Sequence, residues 1–298
     1  GLFVITGAVS LGDLTGFNNG NTSSLIFVNS TTGTLRTSSG VAPVLGSNNN
    51  NGSQNFVNLT NDGVIDVQGG GLRLNVGNTA NGTVGGGTVI STAGSEVRLA
   101  NGATLELGGT ATLAAGSILK TDGQVLTSAG ATLSVNGALQ SLVGGLTSAT
   151  ARLTATGGVA NFGASNAFGL SNVVINGGQA NFTTSALTTD ALSFSSGVLG
   201  GSGSGALVLA ASQSGTWSGG TLAGPLQISN GANLAINGGP KVFGAGGDLT
   251  NNGTVTWSAG NIDIQGAGTI TNSGLFVITG AVSLGDLTGF NNGNTSSL

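Results

Sequence analysis

The sequence predicts an all-β fold: a right-handed parallel β-helix, or β-solenoid, with rungs of about 20 residues that continue across the boundaries of a larger repeat. Three observations predict it. The chain is rich in glycine and poor in charge, a short strand pattern recurs along it, and a 25-residue segment occurs twice without change. Sequence periods of this size are typical of solenoids rather than of globular domains.

Composition argues against several other classes of protein. Of the 298 residues 58 are Gly and only 5% are charged, yet 38% are hydrophobic, so a buried core is available. The net charge of −4 provides no basic track for nucleic acid, and no apolar run is long enough to predict membrane insertion. Because Cys and His are absent, the sequence offers no disulfide, no thiolate or imidazole metal site and no histidine-based catalysis, and we expect no cofactor.

The short period is visible in eight strands that end in a small polar residue and a Gly-rich pair. Their last apolar residues are Val135, Ala155, Ile175, Phe194, Trp217, Ile236, Trp257 and Ile278, with successive differences in residue number of 20, 20, 19, 23, 19, 21 and 21. The residue two positions earlier is also apolar in seven of the eight strands, so both members of each pair should face inward. Together with Phe162 and Phe182, from a second strand that follows the Gly pair, these residues form the predicted core ladder.

A corner motif precedes several of these strands. It reads LTNDGVIDV at 59–67, LTNNGTVTW at 249–257 and ITNSGLFVI at 270–278, which places Asn61, Asn251 and Asn272 at the corners. Asn bonds nearby backbone and tolerates the left-handed region, and Gly two residues later permits a tight corner.

The long repeat is the segment GLFVITGAVSLGDLTGFNNGNTSSL, found at 1–25 and again at 274–298. We therefore predict one complete module at 1–273, with 1–90 its less regular part, and the start of the next identical module at 274–298. The third corner motif spans the boundary at 273 and 274 without a linker or charge break. The coil is accordingly predicted to run through it.

Three polar loops, at 17–24, 46–55 and 77–87, interrupt the less regular part. Loops of this kind bulge from the side of a solenoid and are where such proteins place their contacts. They are the predicted surfaces for lateral association or recognition.

The LTNxG corner followed by a short apolar strand, in rungs rich in Gly, Ser, Thr and Asn, resembles the repeats of filamentous-haemagglutinin-like and autotransporter-passenger adhesins of bacteria. The resemblance covers at least residues 95–298. It implies a right-handed parallel β-helix, secretion across the outer membrane, and work at the cell surface or in the extracellular matrix.

Three functions follow as hypotheses. The first is a structural module of a long extracellular bacterial fibre, the shaft of a surface fibre, adhesin stalk or biofilm matrix nanofibre, in which identical modules stack end to end, with lateral bundling through the loops at 17–24 and 46–55 as a further option. The second is an adhesin passenger that binds a cell-surface glycan or protein through its side loops. The third, a β-helical polysaccharide lyase or hydrolase, needs clustered carboxylates. Only Asp263 and Asp286 lie one rung apart, at different offsets from their strand ends, so we expect no enzyme, and we expect neither nucleic acid nor a membrane as partner.

Overall fold

The structure is a computed structural model that describes residues 1–7, 10–11, 22–38, 40–48, 54–76, 87–164, 166–183, 186–200 and 205–285. These residues form 32 β-strands and no helix, so the described part of the chain is all-β. None of it forms a helix with the length and apolar character needed to cross a membrane.

The strands are, in chain order, β1 (Leu2–Ile5), β2 (Ser10–Leu11), β3 (Thr22–Asn29), β4 (Thr34–Thr37), β5 (Val44–Asn48), β6 (Gln54–Asn61), β7 (Val64–Val67), β8 (Gly70–Val76), β9 (Thr88–Ser91), β10 (Glu96–Leu99), β11 (Ala103–Leu107), β12 (Thr110–Leu113), β13 (Ile118–Thr121), β14 (Gln124–Thr127), β15 (Thr132–Val135), β16 (Ala138–Gln140), β17 (Arg152–Ala155), β18 (Val159–Phe162), β19 (Phe168–Leu170), β20 (Asn172–Phe182), β21 (Leu187–Leu199), β22 (Leu207–Trp217), β23 (Gly220–Leu222), β24 (Pro225–Ile228), β25 (Asn233–Ile236), β26 (Lys241–Phe243), β27 (Asp248–Asn251), β28 (Thr254–Trp257), β29 (Ile262–Ile264), β30 (Thr269–Asn272), β31 (Leu275–Ile278) and β32 (Leu284–Gly285).

The strands pair in parallel as three stacks, which we call sides. Side one starts with β1, β4 and β7, side two with β2, β5 and β8, and side three with β3, β6 and β9. One passage through the three sides is a layer, and the described strands form twelve layers. Three long strands turn corners: β21 pairs first on side one, then on side two and finally on side three. The result is a β-solenoid-like fold.

Side one is interrupted once, between β16 and β19. There the side chain of Asn166 replaces a strand: its Oδ1 accepts a hydrogen bond from the Leu139 backbone N–H at 2.9 Å, and its Nδ2 donates to the Leu139 carbonyl at 2.8 Å. Both backbone groups are satisfied, so the interruption leaves no unpaired amide at this position.

The length of a layer differs between the two parts of the chain. On side two, Leu153 pairs with Val173 and Val173 pairs with Leu192, so the numbers of paired residues there differ by 20 and 19. Nearer the amino terminus Leu74 pairs with Leu107, a difference of 33 in residue number, so the layers there are longer. The longer layers contain the polar loops between β2 and β3, β5 and β6, and β8 and β9.

The core lies between the three sides. Strands such as β4, β10 and β13 alternate half-buried and buried residues, as expected when successive side chains point to opposite faces. The buried apolar side chains make one continuous cluster from Ile5 to Ile262. Each inward residue therefore packs on its counterparts in the layers above and below.

Candidate functional site: interior columns, corners and the lateral edge

Seven of the ten residues of the predicted core ladder form a column of paired residues on side two. Ala155, Ile175, Phe194, Trp217, Ile236, Trp257 and Ile278 pair with one another in that order. The first six are buried, at 0 to 3% exposure, whereas Ile278 is 59% exposed because it lies in the last described layer.

Val135, the remaining one of the eight aligned strand ends, is buried but lies outside this column. It lies in β15 on side three, where it pairs with Leu113 below and Phe162 above. Phe162 and Phe182 continue that column, with their rings stacked at 5.8 Å. The eight strand ends lie on two sides because an apolar pair followed by a Gly corner occurs on more than one side, so the motif identifies a strand without identifying its side.

The two indoles differ in how their N–H groups are satisfied. Trp217 stacks on Phe194 with centroids 5.9 Å apart and planes 5° apart, and meets Phe243 edge-on at 5.5 Å. Its buried Nε1 has no hydrogen-bond partner among the described residues, whereas Trp257 Nε1 donates to the Gly260 carbonyl at 2.7 Å. An unpaired buried N–H costs free energy, so Trp217 stabilises the core only through its ring.

The corner asparagines link neighbouring layers. Asn251 is fully buried; its Nδ2 donates to Asn272 Oδ1 at 2.7 Å and to the Leu275 carbonyl at 3.0 Å, and its Oδ1 accepts the Gly253 N–H at 3.0 Å. Of these bonds, the one to the Leu275 carbonyl crosses the boundary of the long repeat between 273 and 274. Asn272 itself is exposed.

The third predicted corner residue, Asn61, lies at a different edge. It ends β6, between sides three and one, whereas Asn251 and Asn272 end strands of side one that turn into side two. Its bonds follow the same scheme, because its Nδ2 donates to Ser91 Oγ at 3.0 Å and to the Glu96 carbonyl at 3.2 Å. Asn29, which the sequence analysis missed, precedes it in the stack and donates to Asn61 Oδ1 at 2.7 Å.

Steric contact, rather than a left-handed backbone, explains the glycine two residues after each corner Asn. A Cβ at Gly63 would lie 2.3 Å from the Gly33 carbonyl oxygen, and one at Gly253 would lie 2.4 Å from that of Ala232. Among the described residues, positive φ outside glycine occurs only at Asn75 and Ser212, so the corner asparagines are not left-handed. Their function at the corners is hydrogen bonding.

Lys241 is an interior cation with no signal in the sequence. It is fully buried and its Nζ donates to the carbonyls of Gly239 at 2.7 Å and Ala259 at 3.3 Å. Burial lowers the pKa of its ammonium group. The ammonium group thus joins the corner before β26 to the corresponding corner one layer further on.

The ion pairs that the described residues form all lie between 36 and 120. On side one Arg36 Nε lies 2.8 Å from Asp66 Oδ2, and Lys120 Nζ lies 2.9 Å from Glu96 Oε1. Burial by itself raises the pKa of Glu96, but hydrogen bonds from Lys120 and Arg98 outweigh this effect, and the pKa is lowered. The partners' residue numbers differ by 30 in the first pair and by 24 in the second, so the shorter period of the other half of the chain did not predict them.

The carboxylates are distributed over several layers. The described residues contain no group of three or more His, Cys, Asp or Glu side chains that could hold a metal ion. Asp122 accepts Ser148 Oγ at 2.6 Å, and Asp263 accepts Gln265 Nε2 at 2.7 Å. Asp286, the other member of the pair considered for catalysis, lies outside the described residues.

The strands that flank the three polar loops meet at one edge, between sides two and three, in the first three layers. Most of their residues lie outside the described part, but the flanking strands are described. β3 and β6 extend to eight residues each and pair along their whole length, and Ser47 pairs antiparallel with Asn55. Asn75 holds this extension, since its side chain bonds both the N–H and the carbonyl of Val57, at 2.8 and 2.9 Å. We call the edge between sides two and three in these first three layers the lateral edge.

Side three also exposes apolar residues beside the lateral edge. Ile26, Val28 and Ile90 point outward in the first three layers and are 73, 60 and 42% exposed. They give the edge an apolar flank.

A polar hollow of about 170 Å³ lies at another edge, between sides one and two. Its lining includes Asn101, Thr104, Gln124, Thr150 and Arg152, together with the glycines at 102 and 123. Arg152 has no ion-pair partner among the described residues.

Comparisons with known proteins identify no relative. No protein-family model matches the chain, and no significant match is found among curated proteins or among solved structures.

Proposed function

We propose that the chain is a structural module of a long extracellular bacterial fibre, built as a right-handed parallel β-helix with layers of about 20 residues and lengthened by stacking further modules end to end. The shaft of a surface fibre, an adhesin stalk and a matrix nanofibre are all forms of this function.

The observation that carries the proposal is continuous pairing across the module boundary. Residues 254–257, in the module that ends at 273, pair one to one with 275–278 of the next copy, and the hydrogen bond from Asn251 Nδ2 to the Leu275 carbonyl crosses the same boundary. The interior column continues as well, with Ile278 stacked on Trp257. A boundary of this kind has no hinge, so successive modules should form one rigid rod.

The right hand is proposed from a general rule for connections between parallel strands. Connections between parallel strands of one sheet are right-handed in nearly all proteins, because twisted strands return to the sheet most easily in that sense. In layers 7 to 12 the numbers of paired residues differ by 19 to 23, which supports layers of about 20 residues.

The surface supports an extracellular setting. Outward positions on side two of the later layers carry small uncharged side chains, such as Thr154, Ser193, Thr216 and Thr256, which remain hydrated without ion pairs. The absence of cysteine also suits a chain that passes through an oxidising compartment before it folds.

Electron microscopy of chains with one, two and three copies of residues 1–273, each followed by 274–298, tests the proposal. From β1 to β31 the chain makes a little over eleven layers, so each added copy should lengthen a straight rod by about 54 Å at ~4.8 Å per layer. Bends at regular intervals, or compact particles joined by flexible segments, would show that the modules do not stack.

A second function, recognition of a glycan or protein, is favoured because the strands that flank all three polar loops meet at the lateral edge. The sharpest deletion removes residues 49–53, because 46–48 and 54–55 belong to or adjoin the paired strands β5 and β6. Glycan-array binding that is lost in this deletion and retained in Arg152→Gln would assign recognition to the lateral edge. The reverse result would assign it to the polar hollow, and no binding by the intact chain would leave the fibre as the only function supported.

A further inference from the structure

The two copies of the long repeat lie on different sides of the coil. Leu2–Ile5 and Leu275–Ile278 have the same sequence, LFVI, and occupy equivalent positions in successive copies. The first forms β1 and pairs with β4 on side one, whereas the second forms β31 and pairs with β28 on side two. In both copies the Phe and Ile face inward: Phe3 pairs with Leu35, and Phe276 with Val255.

The number of sides between the copies explains the difference. β1 is the first side of layer 1 and β31 is the second side of layer 12, so one long repeat covers eleven full layers and one further side, or 34 sides. Because 34 is not a multiple of three, an identical copy cannot return to the side on which it started.

The corners show why one segment fits two sides. At the edge between sides three and one, Asn29 Nδ2 donates to Asn61 Oδ1 at 2.7 Å and to the Val64 carbonyl at 2.9 Å. At the edge between sides one and two, Asn251 Nδ2 donates to Asn272 Oδ1 at 2.7 Å and to the Leu275 carbonyl at 3.0 Å. The two edges use the same bonds, so a strand that follows an Asn-x-Gly corner can be accepted at either.

We propose that each successive module is advanced by one side of the coil, so that the pattern returns to its starting side only after three modules. This inference rests on the proposed stacking of modules. The lateral edge lies between sides two and three in one module, between sides three and one in the next, and between sides one and two in the third. A shaft of three modules, about 160 Å long at ~4.8 Å per layer, therefore presents its loops along all three edges and can contact neighbouring shafts in every direction around its axis.

Cysteine cross-linking in the 298-residue chain tests on which side each copy of the repeat lies. The chain has no native cysteine, so any disulfide is assigned without ambiguity. Leu2 pairs with Thr34 on side one, and its equivalent Leu275 pairs with Thr254 on side two. Paired positions on adjacent parallel strands are about 4.8 Å apart, within the Cα range of disulfides. The double variants Leu2→Cys with Thr34→Cys, and Leu275→Cys with Thr254→Cys, should both form disulfides under mild oxidation.

The discriminating double variant combines Leu2→Cys with Val44→Cys. Val44 lies on side two, and residue 2 would lie on that side too if both copies of the repeat occupied the same side. We expect no cross-link in it. Cross-linking of Leu2→Cys to Val44→Cys, or to neither partner while the Leu275 pair cross-links, would overturn the proposal. The disulfides form within one chain, so they report the side on which each copy lies even when chains do not assemble. If the expected disulfides form but electron microscopy shows no rods, the fibre is rejected and the one-side shift between copies is retained.

Discussion

The two tryptophans of side two provide a matched test of how the interior column is stabilised. Trp217 and Trp257 are both buried in the same column, two layers apart, and each can be replaced by Phe. Either substitution removes part of an indole, which we estimate at about 1 kcal/mol of lost apolar burial. The difference between them depends on the Nε1–H group.

In Trp217→Phe the unpaired N–H is removed, which recovers about 1–3 kcal/mol of desolvation cost. The net change in the free energy of unfolding should lie between no loss and a gain of about 2 kcal/mol. In Trp257→Phe the bond to the Gly260 carbonyl is lost, which adds about 1 kcal/mol to the loss of burial. The two variants should therefore differ by about 2–4 kcal/mol, with Trp217→Phe the more stable.

Urea denaturation measures the difference, and in each variant the remaining tryptophan is the only indole reporter. Equal m-values across wild type and variants are required for the comparison, because solenoids can unfold in parts. A difference below about 1 kcal/mol, or a larger loss for Trp217→Phe, would refute the assignment of the stability difference to the indole N–H.

Three further predictions concern single polar side chains. Asn251→Ala should cost about 3 kcal/mol because it removes three hydrogen bonds, whereas Asn272→Ala should cost about 1 kcal/mol or less, both by urea denaturation. The stability advantage of wild type over Glu96→Gln should be present at neutral pH and disappear as pH falls through the lowered Glu96 pKa. Thermal melting of both proteins at a series of pH values from 7 to 3 measures it. The stability of wild type relative to Lys241→Met should increase as pH rises towards the ordinary lysine pKa. The reason is that the lysine stays protonated in the unfolded chain at pH values where it has lost its proton in the folded chain.

The strands and their inward residues were predictable because their signals are local. Alternation with a period of two places Val255 and Trp257 on one face of a strand whatever lies elsewhere in the chain. Both are buried, as are Phe162 and Phe182. The corner asparagines were visible for the same reason, although their hydrogen bonds to the next layer and the steric cause of the following Gly appear only once the layers are stacked.

The ion pairs and the buried lysine were not predictable from the short period. Arg36 and Asp66 are neighbours only because the intervening layer contains a long loop, which raises the difference between their residue numbers to 30. Lys241 follows Pro in a Gly-rich corner and has no acidic partner in the sequence nearby. Its hydrogen bonds are to carbonyls, which every residue possesses, so no residue type marks the site.

By itself the sequence determined that this protein repeats, that its strands have one inward face, and that the repeat passes through residues 273 and 274 without a linker. Only the tertiary structure decided on which side each strand lies. The inward face of a strand depends on its own residues, but its side depends on how many sides the whole preceding chain has formed. For that reason Val135 lies on side three, and two identical LFVI segments occupy different sides of one coil.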